Sequence, residues 1–511
     1  MRFLRSRYNP RKKYNMETKE IHNHLKLSNT LSENLGHLHN LFNDTPDLVI
    51  RTFQYKQIGS QSALVYLDGL TDKVSINNDI LRPLMYETSE EADNNSVVTL
   101  GGVNVIDDWK QIENAILQGQ SVLFIDGYKH VEVFDTQGWP QRGIEDPQLE
   151  ASLKGAHIGF TETASQNVSM IRRFIANREL KIKEYTIGKR SNTKVSILYL
   201  ADVAHPEVLQ ELENRIRQVD VDCILNTGEL AEFIEDNPYS PFPQFIMTER
   251  PDSAASQLLQ GRMCVIMERS PSVLIAPVGI ISFLQNVDDY STRWMVASFL
   301  RILRFLAFMI AIFLPAIYIS IISFNFQLIP LDLLISIGES RERVSFPPII
   351  EALLMEVTLE LLRESGIRLP APIGQTVGIV GGIVIGQAVV EAGIVSNIMV
   401  IVVAATAIAS FSIPNYDLAS SLRLIRFPMM IIGWMFGIVG IVIGFMIIVA
   451  HLLSLESLGT PYGAPLAPIR FSDWKDLVIR APLWKMTIRP KSTRAVQSKR
   501  MGSNRSQEEE K

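Results

Sequence analysis

IGQTVGIVGGIVIGQAVVEAGIVSNIMVIVVAATAIASFSI, residues 373–413, carries a single charge, Glu391, in an otherwise apolar and small-residue run. One straight helix of that length would reach roughly 60 Å, twice the ~30 Å hydrocarbon core of a bilayer, so the run must fold back on itself. The small and polar stretch 392–397 is the expected turn. Upstream, residues 305–328 form a second apolar run, preceded by Arg301 and Arg304 and interrupted by Pro315. At ~1.5 Å per residue it is about 36 Å long, enough to cross. Downstream, residues 427–452 make the last run. Four crossings are expected in all.

The charge distribution agrees with this reading. Residues 302–470 hold 18 Asp, Glu, Lys or Arg of the 103 in the 511-residue chain. The density is about 11% there against about 25% elsewhere, the contrast expected between lipid-facing and water-facing chain. Arg301 and Arg304 place the preceding region on the cytoplasmic side, and the basic segment 470–505, with ten Lys or Arg, places the C-terminal end there too. On this topology Arg423 and Arg426 fall on the outer side, against the charge rule, and the amphipathic helix 347–366 faces outside or lies in the interface.

The first 300 residues read as α/β. Residues 63–67 and 195–200 are buried-strand patterns, 105–117 and 206–219 are helical, and 122–125 with 131–134 and 263–267 with 273–275 are hairpins. The same order occurs twice, which predicts two lobes of related topology, 43–145 and 146–300, joined near 140–150. Residues 1–42 read as a basic mobile arm, 301–455 as the transmembrane domain and 456–511 as a basic cytoplasmic tail. The start is basic but no apolar run follows it, so no secretory signal is expected. Cys223 and Cys264 form no disulfide framework, and His22, His24, His37 and His39 lack the spacing of a metal site.

Several groups stand out in the membrane part. Gly374, Gly378, Gly382 and Gly386 form a stripe at every fourth residue, where a neighbouring helix can approach closely, and Gly433, Gly437, Gly440 and Gly444 repeat the device. Gln387 and Glu391 project from nearly the opposite side, and an ionisable group at membrane depth is a functional candidate. Glu356, Glu360 and Glu364 share one helix face opposite Leu353, Leu354, Val357 and Leu361. The default for that face is solvated and salt-bridged; around an oligomer axis it would become rings of carboxylates favouring cations. No P-loop, GxSxG, HExxH or kinase signature is present, so neither catalysis nor a cofactor is expected. Glu249, Arg250 and Asp252, together with Arg172 and Arg173, are expected to make inter-domain or partner contacts.

An ordered set of motifs resembles the A subunits of bacterial spore germinant receptors, the GerA family. They are Gly159-Phe160-Thr161-Glu162, Asn167 with Ile171-Arg172-Arg173, Pro243-Gln244, Thr248-Glu249-Arg250-Pro251-Asp252, Asp288-Asp289-Tyr290, Phe346-Pro347-Pro348 through Glu351, Leu362-Arg363-Glu364, Gly366 through Pro370, Gly381-Gly382 with Gly386-Gln387-Ala388, and Pro461-Tyr462. The chain departs from the family at Gly155-Ala156-His157-Ile158, where Gly-Pro-Arg-Glu is usual. The resemblance implies a multi-pass protein of the spore inner membrane that works with a transporter-like B subunit and a lipoprotein C subunit, forms a homo-oligomer in membrane lipid, and provides an ion pathway without binding nucleic acid. Two other readings are a non-conducting scaffold, whose lobes bind a ligand or anchor partners, and a secondary transporter, which usually needs more spans and an internal membrane repeat.

Overall fold

The computed structural model describes residues 27–86, 98, 100, 103–138, 150, 155, 157–370, 382 and 386–502. The first sheet contains β1 (Leu48–Gln54), β2 (Gln61–Leu67), β3 (Val103–Ile106), β4 (Ser121–Ile125) and β5 (Val131–Phe134), in the order β1-β2-β4-β5-β3. The second contains β6 (Leu180–Ile187), β7 (Thr193–Leu200), β8 (Ile246–Thr248), β9 (Met263–Met267) and β10 (Val273–Ala276), in the order β6-β7-β9-β10-β8. Adding five to each strand of the first order gives the second, and every pairing is antiparallel. The central strands β4 and β9 are buried along their whole length, which is why they read as unbroken apolar runs rather than alternating ones.

Helices occupy matching places in the two lobes. α1 (Leu31–Leu41), the helical segment 73–86 and α2 (Trp109–Leu117) serve the first; α3 (Ala164–Phe174), α4 (Pro206–Gln218), α5 (Thr227–Ile234) and α6 (Pro251–Leu258) serve the second. Two expectations change here. Residues 103–106 are an edge strand paired with β5, and the helix begins only at Trp109, after Asp108 in the extended N-cap conformation. The part of the arm from 27 to 42 is folded rather than mobile: Leu27, Leu31, Leu38 and Phe42 are buried against the first sheet, and His37 stands edge-on to Trp109 at 4.4 Å.

The helical region comprises α7 (Trp294–Ser323), α8 (Leu331–Arg341), α9 (Pro348–Arg368), the short α10 (Gly386–Glu391), α11 (Asn397–Phe411) and α12 (Tyr416–Ser454). α7 and α12 are long and apolar enough to cross a membrane. α12 is not straight. Gly437 has φ 62° and ψ −149°, a conformation open essentially to glycine alone, and the chain reverses there. A Cβ on Gly440 would lie 2.6 Å from the Ile432 carbonyl oxygen, and one on Gly444 would lie 2.6 Å from the Met429 sulfur. Gly440 and Gly444 therefore let two limbs of one hairpin approach each other, and 427–452 is not a single straight span. A straight crossing was the natural reading, because an apolar glycine-rich run looks the same extended or folded back.

The ends of the hairpin fix the arrangement. Gly437 sits beside Phe324 and Asn325, at the far end of α7 from the lobes. The second limb returns to the second lobe, where His451 Nε2 is 2.9 Å from the Ser240 hydroxyl, and Tyr462 donates to the Pro243 carbonyl at 2.7 Å. Residues 456–502 then pack over that lobe instead of trailing as a free tail, with Arg480 buried and Ser457 donating to the Gln244 carbonyl at 2.9 Å. The segment 411–423 also lies against the second lobe, so Arg423 and Arg426 belong to the lobe-facing half of α12 and not to an outer loop. The turn before α11 lies near the start of α9, where Glu351 accepts the Ser396 amide at 2.9 Å.

The hairpin makes a direct prediction. A straight helix would separate residues 429 and 444 by roughly 22 Å. With Cys223 and Cys264 replaced by serine, Met429→Cys with Gly444→Cys should form an intramolecular disulfide on mild oxidation, read as a reducible mobility shift of the intact membrane protein. Failure to cross-link in folded protein would leave α12 straight.

Candidate functional site

Charge is concentrated where the second lobe meets α7. A single helical turn, Asp288–Ser291, ends one residue pair before α7 begins. Asp289, with a side chain only 1% exposed, accepts from Arg301 Nε at 2.9 Å and Arg304 at 2.8 Å. Arg301 also reaches Asp476 of the C-terminal segment at 2.6 Å, and Asp476 accepts the Tyr290 hydroxyl at 2.6 Å. Arg480 donates to the carbonyl oxygens of Asp289 and Thr292, both at 2.8 Å. The Tyr290 ring thus has the guanidinium groups of Arg301 and Arg480 over it at 5.5 and 5.3 Å. Asp288 pairs with Arg250 at 3.1 Å, and Arg250 is further fixed by Asp252 at 2.8 Å.

Burial would raise the Asp289 pKa, but Arg304 and Arg301 outweigh it and hold the carboxyl below its usual range. Burial pushes the Tyr290 phenol up, so it remains a donor to Asp476. One helix, one lobe and the C-terminal segment are therefore joined by paired buried charges.

A second cluster lies among the helices. Arg426 donates to Glu356 at 2.5 Å and, through Nε, to the Ala311 carbonyl of α7 at 2.7 Å; both side chains are almost fully buried. Glu360 pairs with Arg423 at 3.2 Å, while Glu364 pairs with Arg368 at 2.5 Å on the exposed end of α9. Glu351 pairs with Arg341 of α8 at 2.7 Å. The carboxylate face of α9 is thus salt-bridged throughout, buried at Glu356 and solvated at Glu364. Glu356 points inward, whereas Leu354, Val357 and Leu361 are exposed. The apolar side of α9 meets the surroundings and Glu356 finds its partner inside.

The family model described as "Bacillus/Clostridium GerA spore germination protein" matches residues 36–492. The chain belongs to the GerA family. "Uncharacterized membrane protein YfkQ" of Bacillus subtilis (strain 168) is 39% identical over 91% of this chain and 91% of its own length. "Spore germination protein KA" of the same organism is 38% identical over 94% of this chain and 89% of its own length. "Spore germination protein GerLA" of Bacillus cereus is 37% identical, covering 91% and 96%. Among solved structures, the N-terminal domain of the A subunit of the Bacillus megaterium spore germinant receptor GerK3 is 31% identical over 50% of this chain and 96% of that domain, with a TM-score of 0.39.

The GerA motifs fall at folding nodes. Asn167, fully buried, accepts the Thr161 amide at 2.8 Å and donates to the Thr161 carbonyl at 2.6 Å, clasping the loop that carries Gly159 to Glu162. Ile158, in the segment that departs from the family, packs against the core of the second lobe. Arg172 bridges the lobes, donating to Asp47 at 2.8 Å, while Arg173 is exposed. Arg250, fixed by Asp252, joins the lobe to Asp288 in the turn before α7, and the Glu249 carbonyl accepts the Phe160 amide at 2.8 Å. Gln387 donates to Glu391 at 2.8 Å on α10, both exposed. Gly374 and Gly378 lie outside the described residues; a Cβ on Gly382 or Gly386 would meet nothing within 4 Å, whereas Gly433 closely approaches Ala316. Asp289, Arg301, Arg426 and Asp476 were not singled out from sequence as site residues. The Asp288-Asp289 pair followed by Arg301 and Arg304 was the available signal, but only the fold joins it to Asp476.

A carboxyl facing the start of α12 titrates near neutrality. Burial raises the pKa of Glu235 to about 7, aided by Glu232, Asp417 and Asp236 and opposed by the Gln244 amide. Because the folded pKa is above the unfolded one, the folded state binds the proton more tightly, and stability falls as pH rises from about 4.5 through 7. Glu235→Gln should flatten that slope in thermal unfolding of the purified protein and raise stability relative to the parent above pH 7. At the lobe–helix root, Arg301→Ala should cost about 3–5 kcal/mol by leaving Asp289 and Asp476 short of a cation. Thermal or denaturant unfolding of detergent-solubilised protein measures it; a loss under 1 kcal/mol would contradict a shared buried network.

Proposed function

We propose that this chain is the A subunit of a nutrient germinant receptor in the spore inner membrane, with both lobes and the C-terminal segment on the cytoplasmic side. Its partners are a transporter-like B subunit and a lipoprotein C subunit, and several copies surround a pathway for monovalent cations. Nutrient binding at a partner shifts the helix packing and opens that pathway. Membership of the GerA family supports the receptor role.

The observation that carries the gating part is the pair Glu356–Arg426, buried within the helical region and tied by Arg426 to the α7 backbone. One oxygen of Glu356 and one nitrogen of Arg426 make no hydrogen bond among the described residues. Such a pair holds the helices while its hydrogen-bonding capacity is only partly used, which favours a second packing of similar free energy. At its other end α7 is anchored by Asp289, so a displacement of the lobe reaches the helices through a rigid connection.

Glu360 and Glu364 extend the acidic line toward the lobe end of α9, and Gln387 with Glu391 forms the exposed polar face that would meet the ions. The expected result of combining Gln387→Ala with Glu391→Ala is cation release from dormant spores slowed at least several-fold after nutrient addition, at unchanged protein level. Release kinetics equal to the parent's would remove both residues from the pathway.

A further inference from the structure

Between the second lobe and the lobe-facing ends of α9, α11 and α12 lies a cavity of about 480 Å³. That is within the ~300–1,000 Å³ typical of small-ligand sites. Its walls differ in character. The helical wall carries Arg363, Ile367, Phe411, Ile413 and Arg423, and the lobe supplies mostly polar side chains. Arg250 also lines it, but its charge is committed to Asp252 and Asp288.

Arg363 and Arg423 have fewer acceptors than Arg250. Arg423 and Arg363 share one carboxylate, Glu360, at 3.2 and 3.8 Å. The Arg363 guanidinium stands over the Phe411 ring at 4.7 Å, and one of its terminal nitrogens is buried with no hydrogen-bond partner among the described residues. The other lining acid, Glu150, accepts the Thr248 hydroxyl at 2.6 Å on the lobe side. Two guanidinium groups thus share one carboxylate, and a buried N–H donor of Arg363 is left unused. Leaving a buried cation and its donors uncompensated is costly, and an anion with oxygen acceptors removes the cost.

We infer that this cavity binds a phosphodiester, its single negative charge held by Arg363 and Arg423 and its apolar portion lying along Phe411, Ile413 and Ile367. The position at the lobe-side ends of lipid-facing helices suits a phospholipid headgroup, since basic pockets between helices at that depth take anionic headgroups. A soluble phosphodiester has the same chemistry. The inference stands apart from cation conduction: a receptor that conducts nothing can still hold this ligand.

The test uses the full-length protein in phosphatidylcholine nanodiscs containing a minor fraction of phosphatidylglycerol, with retained lipid counted by native mass spectrometry. The parent should retain phosphatidylglycerol over phosphatidylcholine, Arg363→Gln should retain at least five-fold less, and Arg363→Lys should recover part of it. Glycerophosphoglycerol added as a soluble probe separates the sources. Displacement of the lipid, or binding in pure phosphatidylcholine discs, assigns the site to soluble phosphodiesters, whereas no displacement assigns it to the headgroup. If Arg363→Gln does not fold, Ile367→Trp, at the exposed rim of the cavity, should produce the same loss. No preference for phosphatidylglycerol in the parent together with no glycerophosphoglycerol binding overturns the inference, as does equal retention by the parent and the folded variants.

Discussion

A carboxylate and a guanidinium cannot be buried separately among lipid-facing helices; they can be buried together. The contact between Glu356 and Arg426 meets that condition, and much of the helical region follows from it. It sets the rotation of α9, turning Leu354, Val357 and Leu361 outward. It draws α12 against α7, because the same guanidinium donates to the Ala311 carbonyl. One turn further along α9 it places Glu360 beside Arg423, and beyond that Arg363 at the cavity wall. A buried pair contributes little net stability compared with an apolar replacement, but breaking it is expensive, so it selects one packing of the helices over others.

The second constraint is at the root of α7. Asp289 holds Arg301 and Arg304, Arg301 holds Asp476, and Arg480 closes over Tyr290. These residues belong to three separate parts of the sequence. Their convergence makes the C-terminal segment part of the second lobe's surface and commits both to the same side of the helices. The two clusters are connected through α7, which carries Arg301 near one end and Ala311 farther along.

The soluble part was largely legible in the sequence, because strands such as 63–67 and 195–200 are buried on both faces and leave continuous apolar runs between turns. The repeated order of elements foretold two sheets of the same strand order. What the sequence concealed was geometric. The edge strand Val103–Ile106 is short and half-exposed, so it merged with the helical pattern after it. Gly433, Gly437, Gly440 and Gly444 read as one packing stripe toward another helix; Gly433 does meet α7 at Ala316, but Gly440 and Gly444 serve the helix's own return limb, which the dihedral angles at Gly437 create. The carboxylates of α9 were recognised as sharing a face, but periodicity cannot say whether that face meets water or an arginine 70 residues away.

The central claim is that Glu356 and Arg426 act as one paired unit holding the closed arrangement of the helices. Exchanging the charges tests it most directly, by comparing Glu356→Arg, Arg426→Glu and the two combined for protein accumulation and for nutrient-triggered cation release. Each single reversal places two like charges in contact and should abolish accumulation or release; the double exchange should restore at least part of both. If the single variants behave as the parent does, or if the double exchange restores nothing beyond them, the pairing does not organise the membrane region and the account fails.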